Sequence, residues 1–108
     1  MFTTARRLKL HEKFCEILES RNAYFQPPAS VKLNYDPKGC IVYSVARRDG
    51  LKADDMHYVS FTAYDCTYIS RDPDSEIPDK LMQSFLHISH ERTYTSDNLH
   101  HDLFRIYY

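Results

Sequence analysis

Glycine and tryptophan are almost missing from this chain. Two glycines in 108 residues leave nothing with which to build a Gly-rich loop around a phosphate. Cysteine is scarce too. Cys15, Cys40 and Cys66 are scattered, odd in number and never in a C-x-x-C pair, so neither a zinc knuckle nor a disulfide scaffold is indicated. They read as free buried thiols in a reducing compartment. No apolar run approaches the ~18 residues of a membrane span. The basic, amphipathic N-terminal stretch lacks a signal peptide's apolar core, so synthesis and assembly are expected in the cytoplasm. A net charge of −1 supplies no field to draw in nucleic acid or an anionic membrane.

What is present is a core-forming chain. The hydrophobic fraction of 43% and aromatic fraction of 14% exclude disorder, and the length suits a single domain, 1–108. Tyrosine leads the aromatics, nine against six Phe. Its ring packs while its hydroxyl stays wet, which suits half-buried sheet faces and interfaces.

Along the chain, Leu10, Phe14, Ile17 and Leu18 form one apolar stripe and predict a helix over 4–20. Thr3 or Thr4 would cap its start, and Ser20-Arg21-Asn22 would stop it. Ala23–Phe25 ahead of Pro27-Pro28 reads as an edge or connector, and 29–38 as a loop. Cys40–Arg47 is a strand with Ile41, Tyr43 and Val45 on one face and Val42 opposite. Arg47–Asp55 is polar and turn-rich, so a loop is expected there. Met56–Ser70 alternates in two phases, Val59/Phe61/Ala63 and then Tyr64/Cys66/Tyr68, which calls for a bulge near Thr62–Asp65. A second helix follows over Glu76–Gln83, capped by Asp74 or Ser75, with Ile77, Leu81 and Met82 inward and Pro78 in its first turn. Residues 86–108 read as a β-hairpin turning at Thr95–Asn98. The expected fold is α+β, a mainly antiparallel sheet of four to five strands with two helices on one face.

Chemistry-bearing groups are few. His87, His90, His100 and His101 crowd the last quarter, and with Asp102 they raise a metal site. On strands, however, 87 and 90 point to opposite faces, as do 100 and 101, so surface histidines are the simpler reading. No G-x-S-x-G or comparable signature accompanies the Ser, Cys and His residues, and Cys66 sits in an apolar strand. Asp54-Asp55 and Asp72/Asp74/Glu76 fall where solvated charge is usual. Tyr94 and Tyr107-Tyr108 could stack bases, but without a basic stripe the electrostatic contribution is absent. No catalytic residue, metal ligand or cofactor is therefore assigned. Arg47, Arg48, Asp49, Lys52, Asp54 and Asp55 are the candidate partner-contact residues, since long charged hairpin loops are commonly engaged with a partner.

Several segments together resemble the small tail-completion or tail-terminator proteins of tailed bacteriophages, minor virion proteins of the neck. They are residues 4–12 (Thr4-Ala5-Arg6-Arg7-Leu8-Lys9-Leu10-His11-Glu12), 20–35 (Ser20-Arg21-Asn22-Ala23-Tyr24-Phe25-Gln26-Pro27-Pro28 and on to Tyr35), Ile41-Val42-Tyr43-Ser44, 72–80 (Asp72-Pro73-Asp74-Ser75-Glu76-Ile77-Pro78-Asp79-Lys80) and 92–108, from Arg92 to Tyr108. Arg92-Thr93-Tyr94-Thr95-Ser96-Asp97-Asn98-Leu99-His100-His101-Asp102 is the most specific part, and the likeness runs nearly end to end. It departs at Tyr35-Asp36-Pro37-Lys38-Gly39-Cys40, where the entry into the first long strand is built differently. The resemblance implies an α+β subunit of a closed ring, commonly a hexamer, that caps the tail tube and meets the head connector without catalysis. A ring interface of this kind is heterologous and closes on itself. Tail tube and connector proteins would be its partners and the virion neck its place. Two other readings stay open: a small metal- or thiol-dependent enzyme using His90, His100 and Cys66, and a phage-encoded host-interaction module.

Overall fold

The computed structural model describes residues 2–35, 38–53 and 57–108, with the backbone alone described over 2–5, 47–53 and 57–61. The chain runs α1 (Phe2–Leu18), β1 (Ala23–Phe25), β2 (Cys40–Ala53), β3 (His57–Ser70), α2 (Ile77–Ser84), β4 (Ile88–Ser96) and β5 (Leu99–Tyr107). The five strands form one sheet in the order β1-β2-β3-β5-β4. Only β1 pairs in parallel, with β2; the other neighbours are antiparallel. The fold is α+β, as the alternation of patterns implied.

One face of this sheet carries the core. Cross-strand partners Ile41–Tyr68, Tyr43–Cys66 and Val45–Tyr64 continue through Cys66–Phe104 and Tyr64–Ile106 onto β5. Leu10, Phe14 and Leu18 of α1 and Ile77 and Leu81 of α2 close over it, each 2% exposed or less. Tyr43 is central, its ring 5.0 Å from Phe14, 5.1 Å from Phe25 and 6.0 Å from Tyr64. These are tilted and edge-on contacts of the kind ring quadrupoles favour. His11 Nδ1 lies 2.6 Å from the Tyr43 hydroxyl, giving that buried oxygen a partner. Burial nevertheless pushes the phenol up to about 12.

Several boundaries differ from expectation, each for a local reason. The helix begins at Phe2, so Thr3 and Thr4 lie within it rather than ahead of it. Its stop is Glu19, not Asn22: Glu19 takes φ 55°, its N–H donates to the Glu16 carbonyl and that of Ser20 to the Cys15 carbonyl. That pair of bonds is the Schellman arrangement, with Glu where Gly is usual. Asn22 is instead buried. At α2, Ser75 Oγ accepts from the Ile77 N–H at 3.3 Å, while the N-cap position is Glu76, without a side-chain cap. Ile77 and Leu81 are buried but Met82 is 42% exposed, since it lies off the Ile77–Leu81 face.

The expected bulge also moves. β3 pairs without a slip from His57 to Ile69, and the irregularity sits across the ladder in β2, between Val45 and Arg47. The change of apolar phase needs no break in β3. Tyr64, Cys66 and Tyr68 face the helices, and Ala63 falls in the opposite phase. The hairpin is as read, closed by Asp97 and Asn98 at φ 52° and 62°. Two positive-φ residues between paired strands make a type I′ turn, whose twist matches the strands.

Candidate partner-contact site

The largest departure concerns Arg47–Asp55. The polar composition suggests a loop, but β2 continues through Ala53, and pairing with β3 extends to Ala53–His57. Arg47, Arg48, Asp49 and Lys52 are strand residues; Asp54 and Asp55 lie outside the described residues. Charged side chains do not prevent strand formation when a cross-strand partner is in register and no layer must cover them. A charged stretch without hydrophobic alternation simply lacks the pattern that makes strands legible.

This stretch has a distinctive place in the sheet. β1 pairs only with Ile41–Tyr43. Gln26 extends that coverage slightly, donating its N–H to the Tyr43 carbonyl (2.9 Å) and accepting the Val45 N–H on its side-chain oxygen (3.2 Å). On the other side, β5 pairs with β3 from Ser70 back to Ala63, and Thr62 and Tyr108 exchange backbone bonds at 3.1 and 3.3 Å. Arg47 and Arg48 still lie opposite Ala63 and Thr62, but beyond them, among the described residues, Asp49–Ala53 and His57–Phe61 pair only with each other. They form a two-stranded ribbon that leaves the five-stranded sheet and runs on for roughly 15 Å at the ordinary strand rise. The molecule's extents of 49 × 25 × 22 Å reflect an elongated body.

The second exposed feature is β4, at the sheet edge, with every residue after Ile88 exposed. Its histidines do not converge as a metal site would require. His90 Nε2 lies 3.1 Å from Asp102 Oδ1 and 2.9 Å from Thr93 Oγ1, which itself donates to Asp102 at 2.6 Å. A bulge between His90 and Arg92 brings Thr93 opposite Asp102 and closes this three-way cluster. His101 stacks on Tyr94 across the ladder, centroids 4.6 Å apart and planes 8° apart, with the Arg92 guanidinium 4.9 Å from the same tyrosine ring. His100 faces Thr95, at 3.3 Å. Among the described residues no three His, Cys, Asp or Glu side chains are grouped to hold a metal.

The thiols are no more promising as nucleophiles. Cys66 is 2% exposed beneath the helices, and burial pushes its thiol far above the ordinary value. Burial alone lifts Cys40 to about 12. Cys15 is half-buried, and desolvation raises it too. A thiolate nucleophile needs the opposite environment, electropositive and accessible. Of the residues named for the enzyme reading, His90 lies opposite Phe104 and His100 opposite Thr95 in the β4–β5 ladder, while Cys66 is buried in the core.

Sequence reasoning missed the β4 edge and the Gln26 cap. The first could have been suspected from Thr93–Ser96, β-prone residues without charge or proline. The second has no sequence signal. Comparison with models of protein families, with characterised proteins and with solved structures returns no match.

Proposed function

We propose that this chain is a structural subunit of a tailed-phage neck, assembling as a ring, commonly a hexamer, that caps the tail tube and presents a surface to the head connector. It acts by contact, without a catalytic step or cofactor, and its place is the virion. The observation that carries this reading is the ribbon of Asp49–Ala53 against His57–Phe61, which outruns β1 on one side and β5 on the other. A two-stranded ribbon is marginal by itself in water, so a protein that builds one needs a surface to receive it. The segmental resemblance supplies the kind of surface, a neighbouring subunit in a ring. Asp49 and Lys52 lie on that ribbon and Arg47 and Arg48 at its root, where they would set register with a neighbour rather than stabilise this chain.

Native mass spectrometry of the purified protein, alone and mixed with the tail-tube protein from the same source, tests this. A ring-sized species in either sample, lost when Arg47, Arg48 and Lys52 are changed to Glu, supports both the ring and the ribbon's part in it. A ring indifferent to those changes retains the neck and retires the ribbon. A monomer in both samples overturns the proposal.

A further inference from the structure

A ribbon that needs a neighbour raises the question of which surface receives it. We infer that the receiving surface is the β4 edge of a second copy of this chain, so that the outer strand of the ribbon with its root, Arg47–Ala53, is added to β4 as a sixth strand. This rests on the ring reading above and names its interface.

Three observations converge on it. The first is an inventory of open backbone. Among the described residues the sheet ends on β1 at one side, three residues followed by Pro27-Pro28, and on β4 at the other, nine residues without proline. Of these two end strands only β4 is long enough to accept a strand of the ribbon's length. The second is ladder geometry. The type I′ turn at Asp97-Asn98 makes Ser96–Leu99 the closing hydrogen-bonded pair. Bonds to β5 then fall at Ser96, Tyr94 and Arg92, and the N–H and C=O groups of Thr93 and Thr95 point outward. Such outward rows template strand addition, and Thr93–Ser96 carries neither the charge nor the proline that would guard them. The bulge beside His90 guards only the other half. The third is charge. The ribbon strand with its root, 47–53, carries Arg47, Arg48 and Lys52 against Asp49, 3 − 1 = +2. β4 itself carries Glu91 against Arg92, net 0, with Asp97 in its turn and Asp102 beside it on β5. A cationic donor strand is repelled by a second copy of itself and not by a neutral acceptor flanked by carboxylates, which favours ribbon on β4 over ribbon on ribbon. Because donor and acceptor are different surfaces, the contact is heterologous and can close a ring.

Crosslinking decides it. The full chain is made in a Cys15→Ser background, where Cys40 and Cys66 are buried, as two variants, Lys52→Cys and Thr93→Cys. Each is treated with a short bis-maleimide, separately and as a mixture, under the conditions in which native mass spectrometry shows the ring. The expected result is a covalent dimer in the mixture, at least several-fold above either variant alone. A dimer chiefly from Thr93→Cys alone sets β4 against β4, one chiefly from Lys52→Cys alone sets ribbon against ribbon, and either overturns the inference. A ring present by mass but uncrosslinked in every sample overturns the strand addition while leaving the neck reading in place. A monomer throughout, tube protein included, overturns both. Thr95→Pro supplies a control: its outward N–H has no bond to β5, so far-UV circular dichroism of the monomer should be unchanged while the mixed crosslink is lost. A mixed crosslink that survives Thr95→Pro overturns the inference.

Discussion

The two ends of β2 and β3 are made from the same pair of strands in the same ladder, yet they live under different rules. At the Cys40–Val45 end, two helices cover one face, β1 and β5 flank the edges, and residues facing the helices are buried. Beyond Arg48 there is no third strand among the described residues, and the sequence turns charged. Backbone pairing is common to both ends, and the helices and flanking strands belong to the first. The proposal above assigns contact to the second.

That contrast can be broken hardest at Phe14. It is fully buried against Tyr43 and Phe85, and Phe14→Ala should cost about 3–5 kcal/mol, read by urea denaturation. Wild-type stability in that variant would mean that α1 does not hold the sheet. Gly39→Ala comes next. Gly39 has φ +91°, and a Cβ there would press on the Ile69 carbonyl oxygen and approach the Tyr68 ring to 2.9 Å. A loss of about 1–3 kcal/mol is expected, and an unchanged midpoint would show that this turn can relax.

Tyr68→Phe is the finer test of the same end. The Tyr68 hydroxyl donates to the Lys38 carbonyl and lies 2.7 Å from Ser75 Oγ, tying the β2 entry to the start of α2. Its removal should cost about 1 kcal/mol, in the same denaturation series. Acid probes His11. Burial first, and then the Arg7 charge, lower its pKa below the ordinary 6.5. The folded state therefore resists protonation more than the unfolded one, so the contribution is intact above pH 6.5 and lost as pH falls below it. His11→Gln should flatten part of the stability decline between pH 7 and 5; identical slopes for the two proteins would remove His11 from the account. On the open side, Arg105 contacts Asp65 Oδ1 at 2.9 and 3.0 Å across an exposed ladder. Arg105→Ala should leave the urea midpoint close to that of the wild type, because the exposed pair is screened by solvent. A lower midpoint would mean that the uncovered face carries stability after all.

How much of this could be read beforehand follows the same division. Leu10, Phe14 and Leu18, the Ile41/Tyr43/Val45 alternation and the Asp97-Asn98 turn were legible because burial or a positive φ restricts which residues fit. Glu19 as the helix stop was not, because a charged residue at φ 55° is tolerated rather than favoured and carries no signal. The ribbon was misjudged as a loop for a related reason: Arg47–Lys52 carries no apolar alternation, and its pairing depends on register that only the opposite strand supplies. The bulge was assigned to β3 because a change in apolar phase looks like a slip, whereas β3 pairs straight on and the slip lies in β2.

The position of β5 has a consequence in time. It is the last of the five strands to be synthesised, yet it lies between β3 and β4 and pairs with both. Until residues 99–107 have left the ribosome, β3 has an open flank, β4 has no sheet to join, and Phe104 and Ile106 are missing from the core. The sheet cannot close strand by strand as it emerges. It closes late and through non-local pairings, which are slow to form and leave apolar edges exposed meanwhile. High-level expression should therefore be limited by aggregation of nascent or newly released chains, and slower synthesis at lower temperature should raise the soluble yield.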